Sequence, residues 1–492
     1  MLVVREPTKV HLPPSIPEPD AKRFLTYRDT SVEYELRKFR NNHWLADRME
    51  PEEWQARLQE LETQREKCLL REDEHGFYTL SGLQKMVEQR FSEQTENQLV
   101  YPEPRLLPWA KTPPELRPYQ EEAKSLLLGA RHAAISAGTG LGKSFVLMHI
   151  CRTLGLKAVV MAPLTCIAEQ LYEDFCRYLG PKWVGFYGNG KKHTNKLITI
   201  AIGQSLARIE KDSKDYEVLS KAQVFIADES HQTPAATLTR VCLDLLKDAP
   251  YRFFFSGTQT RTDGAELLLK GIIGPIVFKM SVRDGVDQGY LAKPVFKFYE
   301  VESDSPCIDR DPNKMTREHL FYNPRVNAIA GAVANAAVKH LDHSVLVLID
   351  EMEQFAKLLP IFRHEVGFAH GGVTKLNRDK IPADYHRSDP QKLVRDFNER
   401  RLRILVGTSC ISTGTDILPV KTLVYIKGGK SEIELGQGMG RGTRLFDHGD
   451  YKKTSFNYVD FLVSNVDVVR RHAEARIAMC DAIYGPVKVI RP

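Results

Sequence analysis

No apolar run in this 492-residue chain approaches the ~18 residues of a membrane span. The opening Met1-Leu2-Val3-Val4-Arg5-Glu6-Pro7 is too short in apolar residues for a signal peptide, so an intracellular, cytoplasmic protein is expected. Eight cysteines form no CxxC pair, which supports neither a zinc ribbon nor a disulfide framework and implies mostly buried, reduced thiols. Charge excess is small: 69 Lys and Arg against 63 Asp and Glu leave +6, compatible with a polyanionic partner without demanding one. What remains is a globular composition, 42% hydrophobic and 27% charged, at a length that predicts two to four domains of roughly 100–200 residues.

The first stretch carries Pro7, Pro13, Pro14, Pro17 and Pro19, which predict an extended arm. After Pro51, the residues Trp54, Leu58, Leu61 and Arg65 recur at helical spacing. Gly76-Phe77-Tyr78-Thr79-Leu80 reads as a strand, and Ser81 as the cap of a helix carrying Leu83, Met86, Val87 and Phe91. Pro102 to Pro118 reads as a linker. Beyond it, short apolar runs alternate with helical segments: His132–Ser136, Ala158–Met161, Ile198–Ile202, Val224–Ala227 and Arg252–Phe255, then Val345–Ile349, Ile404–Val406 and Leu423–Ile426. Continuous apolar strands of this kind are buried on both faces, as in parallel sheets covered by helices. The expected fold is α/β: two tandem parallel-sheet domains at 111–290 and 291–492, behind a small N-terminal α+β accessory domain at 1–110.

Ala137-Gly138-Thr139-Gly140-Leu141-Gly142-Lys143-Ser144 has the spacing of a loop that wraps a nucleotide triphosphate, between an apolar strand and the apolar first turn Phe145–Met148 of a helix. Its backbone N–H groups can cradle phosphates, Lys143 can reach the β/γ-phosphates, and the Ser144 hydroxyl can ligate Mg²⁺. Asp228-Glu229-Ser230-His231 directly follows an apolar strand, at the sheet edge where open α/β sheets bind ligands. Asp228 suits Mg²⁺ and Glu229 suits the attacking water. In Gln437-Gly438-Met439-Gly440-Arg441-Gly442-Thr443-Arg444, two arginines three apart can reach one anion.

In this order the segments resemble the superfamily two helicases, on the DExH side that includes phage recombination helicases, RecG-like branch-migration motors and XPB-type helicases. Leu116–Gln120 resembles the adenine-reading segment, with Arg117 and Gln120 in that role; residues 137–144 resemble motif I and 228–231 motif II. Ala162–Gln170 and Ala201–Leu206 resemble the backbone-touching motifs Ia and Ic, Ser256-Gly257-Thr258 resembles motif III, and Arg261–Gly264 is usual for the DNA-directed branch. Val345–Asp350, Gly407–Asp416 and Gln437–Arg444 resemble motifs IV, V and VI. DEAD-box RNA helicases have His in place of Gln437 and Ala in place of Ser230.

The resemblance implies two RecA-like domains and ATP with Mg²⁺. Catalysis would fall to Lys143, Asp228, Glu229, Gln437, Arg441 and Arg444. Nucleotide contacts would come from Arg117, Gln120, Gly138, Thr139, Gly140, Gly142, Lys143, Ser144, Gly414 and Asp416, and Mg²⁺ contacts from Ser144 and Asp228. Nucleic-acid contacts would come from Thr165, Gln204, Ser205, Arg261 and Thr408, where hydroxyls and amides also serve as ordinary loop hydrogen-bonders. The expected function is an ATP-dependent DNA helicase or translocase acting on single-stranded or branched DNA, able to work as a monomer and without a membrane partner. The alternatives are an RNA helicase, the motor subunit of a restriction complex, or a nucleotide-dependent binding module. Arg37-Lys38-Phe39-Arg40-Asn41-Asn42-His43-Trp44 interleaves basic and aromatic groups, as a DNA surface or as a core with a solvated face. Val373 to Pro390 reads as a polar loop.

Overall fold

The computed structural model describes residues 1–42, 45, 48–257, 266–306, 311–374, 377–408, 417–430 and 432–491. They form two compact units, Met1–Ala137 with Gly142–Lys279, and Gly138–Leu141 with Met280–Pro492.

The first unit holds an eight-stranded sheet. Its order is Lys191–Lys192, Val184–Gly188, Ile198–Ile202, Ala158–Ala162, Val224–Ala227, Tyr251–Ser256, His132–Ala137 and Ile276–Met280. From Val184–Gly188 to His132–Ala137 the pairing is parallel, and Lys191–Lys192 closes one edge as an antiparallel hairpin. Ala162 pairs with Ile202, Ala227 with Met161 and Phe254, and Ser256 with Ser136, so these strands end along one edge.

The N-terminal prolines do not make an extended arm. Leu2–Glu6 and Lys9–His11 pair antiparallel inside a five-stranded sheet with Arg71–Asp73, Gly76–Leu80 and Thr95–Asn97. Pro7 sits in the turn between the two strands, and Pro19 occupies the first turn of the helix Glu18–Leu25, positions where a missing N–H costs nothing. Leu2, Val10, Leu25, Leu83 and Val87 share one buried core with Ala134, Leu269, Ile272 and Ile273 of the larger sheet layer. Ser81 is not a helix cap either: its Oγ donates to Pro7 O at 2.7 Å, and a short 3₁₀ turn, Ser81–Leu83, precedes the helix Gln84–Phe91. Phe39 stacks on Trp54 at 4.1 Å between the helices Thr30–Arg40 and Pro51–Gln64, which favours the core reading for Phe39; His43 and Trp44 lie outside the described residues. The proline-rich segment 102–117 contains no helix or strand, yet it is tied down. Arg105 N donates to Leu154 O, Leu107 N to Arg152 O and Ala110 N to Tyr178 O, satisfying carbonyls at two helix C-termini.

His132 joins the two parts of this unit: its Nε2 lies 2.9 Å from Ile272 O and its Nδ1 3.3 Å from Ser81 Oγ. Burial, then the nearby Arg252 charge, pushes its imidazole down to about 3. The folded value lies below the unfolded one, so the contribution to stability is complete above about pH 6.5 and is lost as pH falls towards the folded value. The urea midpoint of the full chain should therefore fall between neutral and mildly acid pH, and His132→Gln should make that dependence shallower. An unchanged slope in the variant would remove His132 from the account.

The second unit carries a seven-stranded, all-parallel sheet. Its order is Val366–Ala369, Ile404–Gly407, Ser344–Ile349, Val420–Ile426, Ser455–Val463, Lys293–Val301 and Lys488–Ile490. Val345, Val347 and Ile349 enter one core and Leu346 and Leu348 another, which is the two-residue alternation of a strand covered on both faces. Within 373–390, the 3₁₀ turns Arg378–Lys380 and Ala383–Tyr385 are anchored by buried Ile381 and by Tyr385, packed edge-on to Phe355.

Candidate nucleotide-binding site

The strand His132–Ala137 delivers the chain into the glycine-rich loop, and the helix Lys143–Leu154 leaves it. Gly142 caps that helix at φ +72, a left-handed conformation, and a Cβ there would stand 2.5 Å from Gln120 Nε2. A side chain there would have to take up that conformation and displace the Gln120 amide, which favours glycine. Gln120 Nε2 donates to Gly142 O at 3.3 Å while its Oε1 accepts from Arg117 N at 2.9 Å, so this side chain ties the start of the helix Pro118–Ala130 to the loop. Gly138 N donates to Met280 O at 3.0 Å.

Lys143 is 9% exposed. Its Nζ donates to Ala137 O at 3.1 Å and lies 3.0 Å from Glu229 Oε1. Asp228 and Glu229 follow Val224–Ala227, and Asp228 is 6% exposed. Two carboxylates, Asp228 buried and Glu229 partly buried, thus face one lysine. Burial and the Glu229 charge push Asp228 well above the carboxylate range; burial acts the same way on Glu229, but Lys143 and His231 outweigh it and hold Glu229 low. Such a donor set, one anion in excess of its cation, fits a divalent metal ion beside polyphosphate. Ser144, in the first turn of the helix, supplies the hydroxyl.

Glu229 itself adopts φ +44, ψ +46, a left-handed conformation costing on the order of 1 kcal/mol for a non-glycine residue. The Gly257 N–H donates to its carboxylate, and Glu229 Oε2 lies 3.4 Å from His231 Nδ1. That same nitrogen is 2.6 Å from Ser256 Oγ. Lys143, Glu229, His231 and Ser256 therefore form one continuous polar chain across the ends of three strands.

Thr165, first in the helix Thr165–Tyr178, is exposed; Gln204, exposed, and Ser205, half-buried, lie on the helix Gly203–Ala207. Both helices follow strands ending at the edge that carries Asp228. In the second unit, Thr408 closes the strand Ile404–Gly407, and its N–H donates to Ala369 O. Arg441 is buried near the end of the helix Glu432–Thr443, with half-buried Arg444 just beyond it. A Cβ on Gly442 would enter the Phe456 ring, so the helix lies close on its sheet. Arg261, Gly414, Asp416 and the Gln437 side chain lie outside the described residues.

Sequence reading did not single out Arg252, which is fully buried and donates to Leu246 O at 2.7 Å and Cys242 O at 2.8 Å. It holds the segment after the acidic pair against the sheet. An arginine inside the apolar run Tyr251–Ser256 was its available signal.

Two α/β units with parallel sheets, the first carrying Lys143 and the Asp228–Glu229 pair at the carboxyl edge of its sheet, define a RecA-like nucleotide-binding fold. The family model described as "Type III restriction enzyme, res subunit" matches residues 113–261. A relative named as a helicase in Sulfolobus islandicus filamentous virus is 23% identical over 336 residues, covering 63% of this chain and 57% of that protein. The DNA 3'-5' translocase XPB2 of Sulfurisphaera tokodaii is 23% identical over 369 residues, 69% of this chain and 81% of the relative. Among solved structures, S. cerevisiae Dbp5 bound to RNA and ADP BeF3 shares the fold at a TM-score of 0.52, 17% identity, 76% of this chain and 89% of its own. The chain spans little more than half the length of the viral relative. The chain is thus similar over part of its length to proteins named as helicase and translocase, and it shares the fold of a solved RNA-bound protein.

Proposed function

We propose that this chain is an ATP-dependent DNA helicase or translocase that unwinds or remodels branched DNA in replication, recombination or repair. The observation that carries the reading is the buried Lys143–Glu229 pair beside Asp228 at the carboxyl edge of a parallel sheet. Phosphoryl transfer to water needs positioning and charge stabilisation more than covalent chemistry. Lys143 and the loop N–H groups bind the phosphates, Arg117 and Gln120 lie on the adenine side, and Glu229 orients the water. Ser144 and Asp228 would hold Mg²⁺, which supplies charge neutralisation at the phosphate oxygens. By the resemblance, Gln437, Arg441 and Arg444 add charge stabilisation, with Gly414 and Asp416 facing the nucleotide. The Glu229–His231–Ser256 chain gives a change at the γ-phosphate a physical path to the adjoining strand ends.

Backbone contacts by Thr165, Gln204, Ser205, Arg261 and Thr408 predict binding that is indifferent to sequence and weakened by salt. DNA is favoured over RNA by the Gln437 and Ser230 pattern and by the DNA translocase among the relatives. The deciding experiment compares ATPase stimulation by DNA and by RNA, then unwinding of forks, four-way junctions and overhangs of both polarities. Fork or junction unwinding supports the reading, and stimulation by RNA alone overturns it. The family description favours one second reading, a translocating motor subunit of a restriction complex. ATP-driven movement along linear duplex without strand separation would select it.

A further inference from the structure

At the edge of the second unit's sheet where Ile404–Gly407, Ser344–Ile349 and Val420–Ile426 begin, cations outnumber anions. Arg400 Nη2 donates to Asp342 Oδ2 at 2.5 Å and to Asp342 O at 3.1 Å, and Arg403 Nη2 donates to Asp342 Oδ1 at 2.6 Å. One carboxylate thus serves two guanidinium groups. Arg400 also lies 3.5 Å from the Tyr451 ring centroid, and Lys421 Nζ lies 4.1 Å from the same centroid. The ring is fixed from both directions: Tyr451 Oη donates to Pro419 O at 2.7 Å and accepts from Ser344 N at 3.1 Å. Lys453 Nζ, buried alongside, donates to Leu418 O.

Among the described residues, no second carboxylate pairs with these cations. Burial and then Arg400 push Lys421 down, while burial, Arg444 and Lys421 push Lys453 far down. Nε of Arg400 and of Arg403 are buried N–H groups without a hydrogen-bond partner among the described residues. The cations are held in place by a rigid aromatic and by backbone, and they crowd one another in a way that an anion would relieve.

Resting on the proposed function, we infer that this edge is a second phosphate-binding surface, on which Arg400, Arg403 and Lys421 contact the backbone of nucleic acid. Arg403, just before the strand Ile404–Gly407, and Lys421, on Val420–Ile426, flank the strand Ser344–Ile349, so their backbones are roughly 10 Å apart at the usual strand spacing. That length exceeds one phosphate and suits a backbone carrying a charge about every 3.4 Å along each strand. Thr408, the backbone contact implied by the resemblance, lies at the opposite ends of these strands, so the surface is separate from it within this unit. A second contact would hold a duplex arm while the first tracks the strand.

The test is a binding titration of a tailed DNA duplex over a salt series, with the full chain and its Arg403→Gln/Lys421→Gln variant. The slope of log affinity against log salt should become shallower by ~1.8, from about 0.9 per lost contact, and affinity at low salt should fall about tenfold or more. ATP turnover at saturating DNA should stay unchanged, and Arg403→Lys/Lys421→Arg should restore the slope. An unchanged slope in a folded variant overturns the inference, as does loss of poly-glutamate binding with DNA binding intact, which would point to an acidic polypeptide instead. Wild-type protein that binds no nucleic acid at any salt overturns the proposed function rather than this surface alone.

Discussion

Lys143→Ala is expected to lower nucleic-acid-stimulated ATP hydrolysis on the order of 10²–10³-fold, the usual cost of removing one preorganised charge from a developing anion. The lysine has two tasks in this geometry. Its ammonium lies 3.0 Å from Glu229 and is held at 3.1 Å from Ala137 O, at the end of the strand that opens the phosphate loop. Without it Glu229 loses the partner that keeps its carboxyl low, and two buried acids are left side by side. Both then move upward, because burial and mutual repulsion favour the protonated form. Residual activity, which needs Glu229 ionised, should therefore disappear at a higher pH than in the wild type as pH is lowered. Turnover at saturating ATP and nucleic acid, with a circular dichroism control for folding, measures the first effect; a pH profile measures the second. Glu229→Gln separates the roles, since it should retain ATP binding while losing turnover to a similar degree. Full turnover by Lys143→Ala would sink the assignment.

Much of this arrangement is legible in the sequence, for physical reasons that also explain the gaps. Ile198–Ile202, Val224–Ala227 and Gly76–Leu80 are found at the residues read from sequence. Val224–Ala227 is an uninterrupted apolar run between Gln223 and Asp228, and in Ile198–Ile202 only the β-branched Thr199 breaks the run, so both have few alternatives to a buried strand. At the N-terminus five prolines mask a two-residue pattern: Leu2 and Val4, then Val10, are buried, and the prolines fall outside the paired strands. The order of the glycine loop, the acidic pair and the serine strand end is visible in one dimension, whereas the polar chain Lys143–Glu229–His231–Ser256 is made by the parallel register, which no local pattern encodes. Gln120 illustrates the same limit. Its place before the loop suggests nucleotide contact, while its hydrogen bond to Gly142 O emerges only when the helix Pro118–Ala130 packs beside the loop.

The second large effect concerns stability. Arg476→Ala is expected to destabilise the second unit by about 3–5 kcal/mol, the cost of stranding a buried charge. Arg476 and Asp460 side chains are 3% and 1% exposed, and the guanidinium meets the carboxylate twice: Nε donates to Oδ2 and Nη2 to Oδ1, each at 2.8 Å. Further hydrogen bonds converge on the pair. Phe461 N donates to Oδ1 at 2.7 Å, Tyr458 Oη to Oδ2 at 3.0 Å, and Arg476 Nη1 to Gly429 O at 2.8 Å. Burial alone would push Arg476 down, but Asp460 outweighs it and the guanidinium is held above its ordinary value. Removing the arginine leaves Asp460 with two weaker donors in a dry layer between the helix Asp467–Tyr484 and the strand Ser455–Val463. Asp460→Asn/Arg476→Met should cost less than the sum of the two single changes, because no unpaired charge remains. Urea denaturation of the three variants measures this coupling, and a loss below about 1 kcal/mol for Arg476→Ala would refute it. The bond to Gly429 extends the consequence to chemistry. Gly429 lies three residues before the helix Glu432–Thr443, so a conservative Arg476→Lys protein, still charged but unable to span both Asp460 and Gly429, should stay folded yet lose order where the Arg441 helix begins.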